Sequence, residues 1–398
     1  MDSIEKSPYP LAFKASASSS VGLKANEPND RLCLRTATRA MSGMQKEAMV
    51  NYGPTGTTWR LACDEGPWLE GTNLAPFPLG FFNAGLLASY MSEFLTHAKR
   101  AEIEVDNFEL MVDNFYSMEG SLLRGTMVGS AHPVQATFSA DTSASNSELQ
   151  QLAHLAVASS PADAMLRNSI HSVFSLNHNG SALPVTGVAT SSANPMNGIP
   201  VEFSKAEPSE PSVIADVNLK RLDGLDSLGG EQMGTQSNSA VGLVDSQKRI
   251  VHVRGVGTMR PDGLKELKVA CFQPVGSVFQ FLSDDSAAVG GQERAPCGLA
   301  YLSAGLSFCF MTQLGRYARV AKHNMQSYQI LQDTSFSVPA ALNDKEIIPT
   351  PEAVDTHVFV DNEENSEKTQ TLLQMSEQTC YLHAACRSDI KTVVKVRR

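Results

Sequence analysis

The 398-residue sequence contains no hydrophobic run that approaches the roughly 20 residues needed to span a bilayer as a helix. Residues 1–20 also lack an apolar core of signal-peptide length, and they carry only two lysines, Lys6 and Lys14. We therefore predict a flexible tail over residues 1–20 and no membrane segment. The protein is expected to be cytoplasmic.

Positively charged residues are outnumbered: the sequence has 32 Lys and Arg against 42 Asp and Glu, which gives a formal net charge of −10. Nucleic-acid binding needs a basic surface that neutralises phosphates, and docking on an anionic membrane needs one too. The composition therefore predicts no nucleic-acid partner and no membrane partner. The length is sufficient for two globular domains of ordinary size.

The seven cysteines show no CxxC pair and no Cys/His cluster with zinc spacing. In a cytosolic chain they do not predict a disulfide framework either. We therefore predict no metal site. Each cysteine has to be considered by its own position in the chain.

The sequence does contain an internal repeat. Residues 83–89 (NAGLLAS) resemble residues 303–309 (SAGLSFC) at an offset of 309 − 89 = 220. Residues 160–170 resemble residues 380–390, again at 380 − 160 = 220. Matches that occur in the same order at one offset indicate a duplication.

A third match lies earlier in each copy. Residues 35–50 align without gaps on residues 254–269, and a Lys-Glu pair at 46–47 recurs at 265–266, where 265 − 46 = 219. We predict a tandem duplication with a linker of Ser-, Pro-, Gly- and Asn-rich composition. The predicted limits are a tail at 1–20, a first copy at 21–180, a linker at 181–239 and a second copy at 240–398.

Each copy is predicted to contain strands, a long buried helix, further strands, a helix and a final strand, which is an α+β layout. The buried helix of the second copy is predicted over residues 298–318. One helix, or two with a break, is predicted over residues 367–385. Predicted strands of this copy cover 249–256, 267–272, 277–282, 327–336, 357–362 and 390–396, and a short strand in the linker covers 212–217.

Cys309 falls in the middle of the predicted buried helix, and Cys380 lies in the later helical segment. Either residue could be an inert core cysteine that packs as a small hydrophobe. Their counterparts in the first copy are Ser89 and Ser160, which are similar in shape but lack a thiol. Because both positions differ together between the copies, we predict that the two cysteines form a functional pair.

Thiol chemistry requires the thiolate, which a nearby cation favours. Arg260 is the candidate cation, and it belongs to a predicted turn over residues 259–263. Its counterpart in the first copy is Met41. As a turn residue, Arg260 could equally be a solvated surface side chain.

Other residues near the pair are weaker candidates. Cys386 could be an alternative partner of Cys380, and Cys297 could be activated by the start of the buried helix. His383, whose counterpart is Asp163, could tune Cys380, although a surface position on the helix is the commoner arrangement. The remaining cysteines, Cys33, Cys63 and Cys271, are expected to pack in strands and loops.

The ordered set of motifs resembles the OsmC/Ohr family of thiol-dependent proteins, which includes organic hydroperoxide reductases. The motifs are the Arg-containing turn, a polar loop with glycines, the helix that carries the first cysteine and the segment that carries the second. In this sequence they lie at residues 260–263, 284–292, 299–309 and 380–390. The first copy follows the same order, with residues 64–67, Ser89 and Ser160.

Family members are usually short chains that form intertwined homodimers. The resemblance therefore implies two OsmC-like domains, with antiparallel sheets around long central helices, that form an intramolecular pseudodimer. It also implies that the Cys309 thiolate attacks a peroxide, that Cys380 resolves the sulfenic acid as a disulfide, and that Arg260 keeps the thiolate charged. The expected partners are a small-molecule substrate (an organic peroxide or another apolar ligand) and a dithiol reductant. A homo-oligomer is left open, and no cofactor is expected.

The sequence departs from the family at one position. Peroxidase members carry a glutamate about ten residues before the first cysteine, but residues 298–300 here are Gly, Leu and Ala. The nearest acid is Glu293. Two alternatives to a peroxide reductase follow: a non-peroxidatic OsmC-like protein that binds a small apolar or electrophilic ligand, and an inert scaffold in which Cys309 and Cys380 lie far apart.

Overall fold

The computed structural model describes residues 2–18, 22–25, 31–194, 196–209, 218–222, 224, 228, 247–337 and 348–397. These residues form a mixed α+β structure with two β-sheets and six α-helices. The elements up to residue 222 are β1 Ala12–Lys14, β2 Arg31–Ala40, β3 Lys46–Tyr52, β4 Thr57–Cys63, α1 Pro78–Arg100, β5 Asp106–Gly120, β6 Val128–Asp141, α2 Asn146–Ser159, α3 Pro161–Arg167, β7 Val173–His178, β8 Ser181–Leu183, β9 Ala189–Thr190 and β10 Leu219–Leu222. The later elements are β11 Gln247–Met259, β12 Lys265–Gln273, β13 Val275–Ser283, α4 Gly298–Val320, β14 Met325–Ser337, β15 Thr350–Pro351, β16 Asp355–Asn362, α5 Ser366–Thr379, α6 Tyr381–Arg387 and β17 Thr392–Arg397.

Both sheets combine strands from the two halves of the chain. The first sheet has the order β1-β4-β3-β2-β14-β16-β7-β8, with β15 beside β14 and β9 beside β7. The second has the order β10-β13-β12-β11-β5-β6-β17. The early strands of each half therefore pair with the middle strands of the other half.

A matching ion pair crosses each of these junctions. In the β2–β14 register Arg35 faces Asp333, and its Nε and Nη2 donate to the two carboxylate oxygens at 2.8 and 2.7 Å. In the β11–β5 register Arg254 faces Asp113, with the same two bonds at 2.7 and 3.0 Å. Bidentate pairs of this kind fix register as well as adding energy.

The long helices α1 and α4 cross at two glycines, Gly85 and Gly305, which are separated by 305 − 85 = 220 residues. A Cβ added to Gly85 would lie 2.8 Å from the backbone nitrogen of Leu302, and one added to Gly305 would lie 2.7 Å from that of Phe82. The two backbones therefore approach too closely for any side chain at these positions.

We expect Gly305→Ala to lower the free energy of unfolding by about 1–3 kcal/mol, because the added methyl group must push the helix backbones apart. Chemical denaturation measures this change. Gly198→Ala is the matched control, since a Cβ there meets nothing within 4 Å. Equal stability of the two variants would contradict the close crossing.

Each long helix is covered by the early strands of the other half. On α4, Ser303 Oγ lies 2.8 Å from Thr36 Oγ1 of β2. On α1, Asn83 lies against β11 so closely that a Cβ on Gly255 would be 2.0 Å from its Oδ1. The β11–β12 hairpin therefore packs against α1, and the β2–β3 hairpin packs against α4.

The predicted elements of the second half match the observed ones closely, and the helical segment over 367–385 forms two helices, α5 and α6. Within the predicted N-terminal tail, β1 pairs with β4 and Phe13 is buried. The predicted linker includes β8, β9 and β10, whereas its predicted strand at 212–217 lies outside the described residues. The limits of the tail, linker and copies stay a prediction. Among the helices that the structure describes, none has the length and apolar character needed to cross a membrane.

Candidate functional site

Cys309 and Cys380 lie in direct contact inside the protein. Cys309 is in the middle of α4, and Cys380 is the extended residue at which α5 ends and α6 begins. Their Sγ atoms are 3.3 Å apart, and the residues are 3% and 0% exposed. Both are free thiols. A disulfide needs an S–S distance of about 2 Å, so a small movement of either side chain would allow the bond to form.

The contact decides one of the alternatives drawn from the sequence. The inert-scaffold alternative predicted that these two cysteines lie far apart, and that prediction is wrong. The equivalent positions of the first half are also in contact, because Ser89 Oγ lies 2.8 Å from Ser160 Oγ. The two halves thus hold a thiol pair and a hydroxyl pair in the same geometry.

Of the two thiols, Cys380 is the one whose surroundings favour the negatively charged form. Burial raises the pKa of Cys309, as does the hydrogen bond that it makes with Cys380. Burial also opposes charge on Cys380, but the Cys309 thiol and His383 outweigh it and hold the pKa of Cys380 well below its usual range. When Cys380 is charged, the Cys309 thiol donates to it.

The start of α6 faces both sulfurs. The backbone N–H of His383 favours the Cys380 thiolate, and the backbone N–H of Leu382 favours charge on Cys309. In the first half, Ser160 Oγ accepts a hydrogen bond from the Asp163 backbone N–H at 3.2 Å. The Ser160 side chain thus caps α3, whereas the Cys380 side chain makes no capping hydrogen bond to α6.

His383 is buried rather than on the surface, with 1% exposure. Its ring lies 5.1 Å from the Phe310 ring and 5.6 Å from the Phe174 ring, measured between centroids. Among the described residues neither ring nitrogen has a partner in hydrogen-bond geometry, although the ring is near enough to lower the pKa of Cys380. The Tyr116 hydroxyl, also beside the cysteines, is likewise without a partner in this part of the structure.

The structure does not bring Arg260 to the cysteines. Arg260 follows β11 in the hairpin that covers α1, the helix of Ser89, and its Nη2 donates to Asp262 Oδ2 at 2.8 Å. The hairpin that covers α4 belongs to the first half and carries Met41 at the equivalent turn. The sequence comparison paired Arg260 with a cysteine of its own half, whereas the strands are exchanged between halves.

A buried ion pair lies on the other side of Cys309, and the sequence did not single it out as part of the site. Lys46 Nζ is 3.7 Å from Glu65 Oε1, with side chains that are 1% and 5% exposed. Thr312, one turn after Cys309 on α4, donates its hydroxyl to Glu65. The charge of Glu65 is one of the causes that raise the pKa of Cys309, so it opposes a thiolate there.

The only sequence signal for this pair was the recurrence of the Lys-Glu motif, which marked Lys46 and Lys265 as equivalent. Lys265 likewise pairs with an acid, Asp285, at 2.8 Å. Ser92 of α1 donates a hydrogen bond to the Asp285 carboxylate at 2.6 Å. Ser92 is the counterpart of Thr312, which donates to Glu65. Glu293, considered above as the nearest acid to Cys309 in sequence, instead accepts from Thr57 at 2.5 Å and pairs with Lys14 at 3.4 Å.

The other candidate thiols are less suited to ionise. Burial raises the pKa of Cys386 to about 12 and that of Cys297 to about 11. Burial also raises the pKa of each cysteine predicted to pack in strands and loops, namely Cys33, Cys63 and Cys271. In the described part of the chain no group of three or more His, Cys, Asp or Glu could hold a metal ion.

Comparison with known proteins gives one family match. The sequence model described as "OsmC-like protein" matches residues 290–395. An OsmC-like hydroperoxide resistance protein from Jannaschia sp. CCS1 is similar, with 22% identity over 33% of this chain and 83% of that chain and a TM-score of 0.21. None of the curated proteins matches. The chain thus contains an OsmC-like domain over residues 290–395, and that domain holds both Cys309 and Cys380.

Proposed function

We propose that the protein is a thiol-dependent redox protein that reduces organic hydroperoxides with the Cys309–Cys380 pair. The observation that carries the proposal is the 3.3 Å contact of two buried sulfurs inside the OsmC-like domain. One of these sulfurs has a pKa well below its usual range, and reaction with a peroxide requires a thiolate.

The proposed reaction balances with a dithiol as the electron source. A thiolate of the pair takes the terminal oxygen of the hydroperoxide, the O–O bond breaks, and the alcohol leaves after taking up a proton. The second thiol then attacks the sulfenic acid, so that a disulfide forms and water leaves. An external dithiol reduces this disulfide by exchange.

The resemblance to the family assigns the attack to Cys309 and the resolution to Cys380, and the contact between the sulfurs allows either order. The surroundings support an organic substrate. Tyr116, Phe310 and Phe174 are buried around the pair and its histidine. A hydroperoxide with an apolar group would gain more from such walls than hydrogen peroxide would.

We further propose that the chain is a duplicated OsmC-like domain folded as an intramolecular pseudodimer. Three pairs of equivalent features support this: the ion pairs across the two sheets, the glycines at the helix crossing and the Ser89–Ser160 contact opposite the cysteine pair. Each relates positions that differ by 219 or 220 residues. In this arrangement only one of two ancestral sites keeps its thiols.

We expect one equivalent of an organic hydroperoxide, such as cumene hydroperoxide, to remove two free thiols per reduced chain. Peptide mapping should find the new disulfide between Cys309 and Cys380. Cys386→Ser is the matched control. Burial raises the pKa of this neighbouring thiol, so its loss should leave the result unchanged. If the number of free thiols per chain were the same before and after the hydroperoxide is added, the proposal would be contradicted.

That contrary result would favour the second candidate function, a non-peroxidatic OsmC-like protein that binds a small apolar or electrophilic ligand. The observation that favours it is the position of Arg260, which pairs with Asp262 over the other helix rather than with the thiols. A reactive thiol that is modified by an alkylating agent, without consumption of peroxide, would support this candidate.

A further inference from the structure

We propose that the first sheet carries a binding site for a small organic carboxylate, separate from the thiol pair, in which Arg39 holds the carboxylate group. The site is a cavity of about 290 Å³ between the N-terminal residues 2–13, the strands β2, β3 and β4, and residues 203–206. This volume is near the lower end of the range for small-molecule pockets, about 300–1,000 Å³. The inference goes beyond the proposed function, because binding at this site involves no thiol.

The cavity lies on the face of the sheet that is turned away from α4 and the thiol pair. Successive side chains of a strand alternate between the two faces of a sheet. Thr38 of β2 forms a hydrogen bond with Ser307 of α4, so its neighbour Arg39 lies on the opposite face. Neither Cys309 nor Cys380 is among the residues that line the cavity. A ligand bound there is therefore not a substrate held against the thiols.

Two arginines in the cavity wall share one buried acid. Glu47 faces Arg39 in the β2–β3 register, and Arg39 Nε donates to Glu47 Oε1 at 2.6 Å. Arg60 Nε donates to the other carboxylate oxygen at 2.8 Å, and the side chains of Glu47 and Arg60 are 5% and 4% exposed. The single charge of Glu47 balances only one of the two guanidinium groups. The wall therefore keeps a positive charge that the carboxylate of a ligand can neutralise.

Aromatic rings lie against both guanidinium groups and form the apolar part of the cavity. The Arg39 guanidinium is 5.0 Å from the centre of the Phe203 ring, and the Arg60 guanidinium is 5.7 Å from the centre of the Phe13 ring. Tyr9 lies beside Phe13, with the two ring centres 5.3 Å apart. These contacts orient the cations. The same three rings line the cavity and offer a hydrophobic wall to the body of a ligand.

Asp2 of the protein itself occupies the place that we assign to the carboxylate of the ligand. Asp2 Oδ2 accepts a hydrogen bond from Arg39 Nη2 at 2.7 Å, and the Asp2 side chain is 62% exposed. An ion pair so open to water contributes little to stability. A carboxylate whose apolar body also fills the cavity can therefore displace Asp2. A singly charged carboxylate fits better than a doubly charged phosphate group, because Glu47 lies beside it.

The second half of the chain has no arginine at either position. Thr258 corresponds to Arg39, since 258 − 39 = 219, and Gln280 corresponds to Arg60, since 280 − 60 = 220. The strands pair in the same order in both halves, as β4-β3-β2 and as β13-β12-β11. The two arginines are therefore not needed to form the sheet, which favours a role in binding.

Calorimetric titration of the full-length chain with 3-phenylpropanoate tests the inference, and the neutral 3-phenylpropanamide is the matched ligand. We expect the carboxylate to bind at least about tenfold more tightly than the amide, because only the carboxylate forms charge-assisted hydrogen bonds with Arg39. Equal affinities, or no detectable binding of the carboxylate, would overturn the inference. Tighter binding of 2-phenylethyl phosphate than of 3-phenylpropanoate would overturn the choice of a carboxylate.

Two variants should change the affinity for 3-phenylpropanoate in opposite directions. Arg39→Met should weaken binding at least about tenfold, and the fold should persist because Glu47 keeps Arg60 as its partner. Asp2→Asn should strengthen binding severalfold, because it removes the internal competitor. Lys205→Met removes a positive charge from a residue that does not line the cavity, so this control should bind like the native chain. Weaker binding in both Arg39→Met and Asp2→Asn would point to a structural effect and would overturn the inference.

Discussion

The double substitution Cys309→Ser/Cys380→Ser is expected to abolish hydroperoxide turnover while leaving the fold intact. The protein itself supplies the structural precedent, because Ser89 and Ser160 occupy the equivalent positions with their hydroxyl oxygens 2.8 Å apart. A hydroxyl is too weak a nucleophile to replace the thiolate at neutral pH. We expect the rate to fall by at least about a thousandfold, to the uncatalysed background, as removal of a catalytic nucleophile does elsewhere.

The measurement is hydroperoxide consumption in the presence of a dithiol, together with the unfolding midpoint in denaturant. The two serines can share the hydrogen bond seen in the first half, so the midpoint should change little. The matched control is Cys33→Ser, a buried thiol beside Ser335 in the first sheet rather than on the helices that hold the pair, and this variant should keep full activity. Turnover that persisted in the double variant would assign the chemistry to other residues.

The thiol pair could be predicted from the sequence because the internal repeat allows one half of the chain to be compared with the other. Cys309 and Cys380 stood out only because residues 220 positions earlier are Ser89 and Ser160. The same reasoning failed for Arg260. Alignment shows which positions are equivalent, but it does not show which half supplies the strands that cover a given helix.

The elements were predictable for a similar reason. Alternating strands and the long apolar helix α4 are local patterns, and the structure places them within a few residues of their predicted limits. The exchange of strands depends on contacts between residues about 300 positions apart, such as Arg35 and Asp333, which leave no local pattern. The burial of His383 was hidden for the same reason, because its neighbour Phe174 comes from the other half.

The exchange of strands between the two halves also explains why Glu65, the buried acid beside Cys309, comes from the first half. Glu65 follows β4, and the sheet that contains β4 covers α4. Burial raises the pKa of Glu65, while Lys46 and the Thr312 hydroxyl act against that rise. The almost fully enclosed Lys46 therefore favours the charged form of Glu65 beside Cys309.

Removal of this lysine by Lys46→Met is expected to lower the free energy of unfolding by about 3–5 kcal/mol, because it leaves Glu65 buried without its partner. Chemical denaturation at neutral pH measures the loss. Lys265→Met is a control within the same chain: its partner Asp285 is 39% exposed, so water can solvate the acid and the loss should be smaller.

Two further variants separate a buried charge from a simple loss of packing. In Lys46→Met/Glu65→Leu no charge remains to be desolvated, and most of the lost stability should return. Acid should also reduce the deficit of the single variant. Lys46 lowers the pKa of the buried Glu65, so its removal lets burial raise that pKa further above the unfolded value. Folding of the variant then takes up a proton, and its stability rises relative to the native protein as the pH falls through that window. A deficit of Lys46→Met that stayed constant on acidification, and that the second substitution failed to correct, would show that Glu65 is not charged in the native protein.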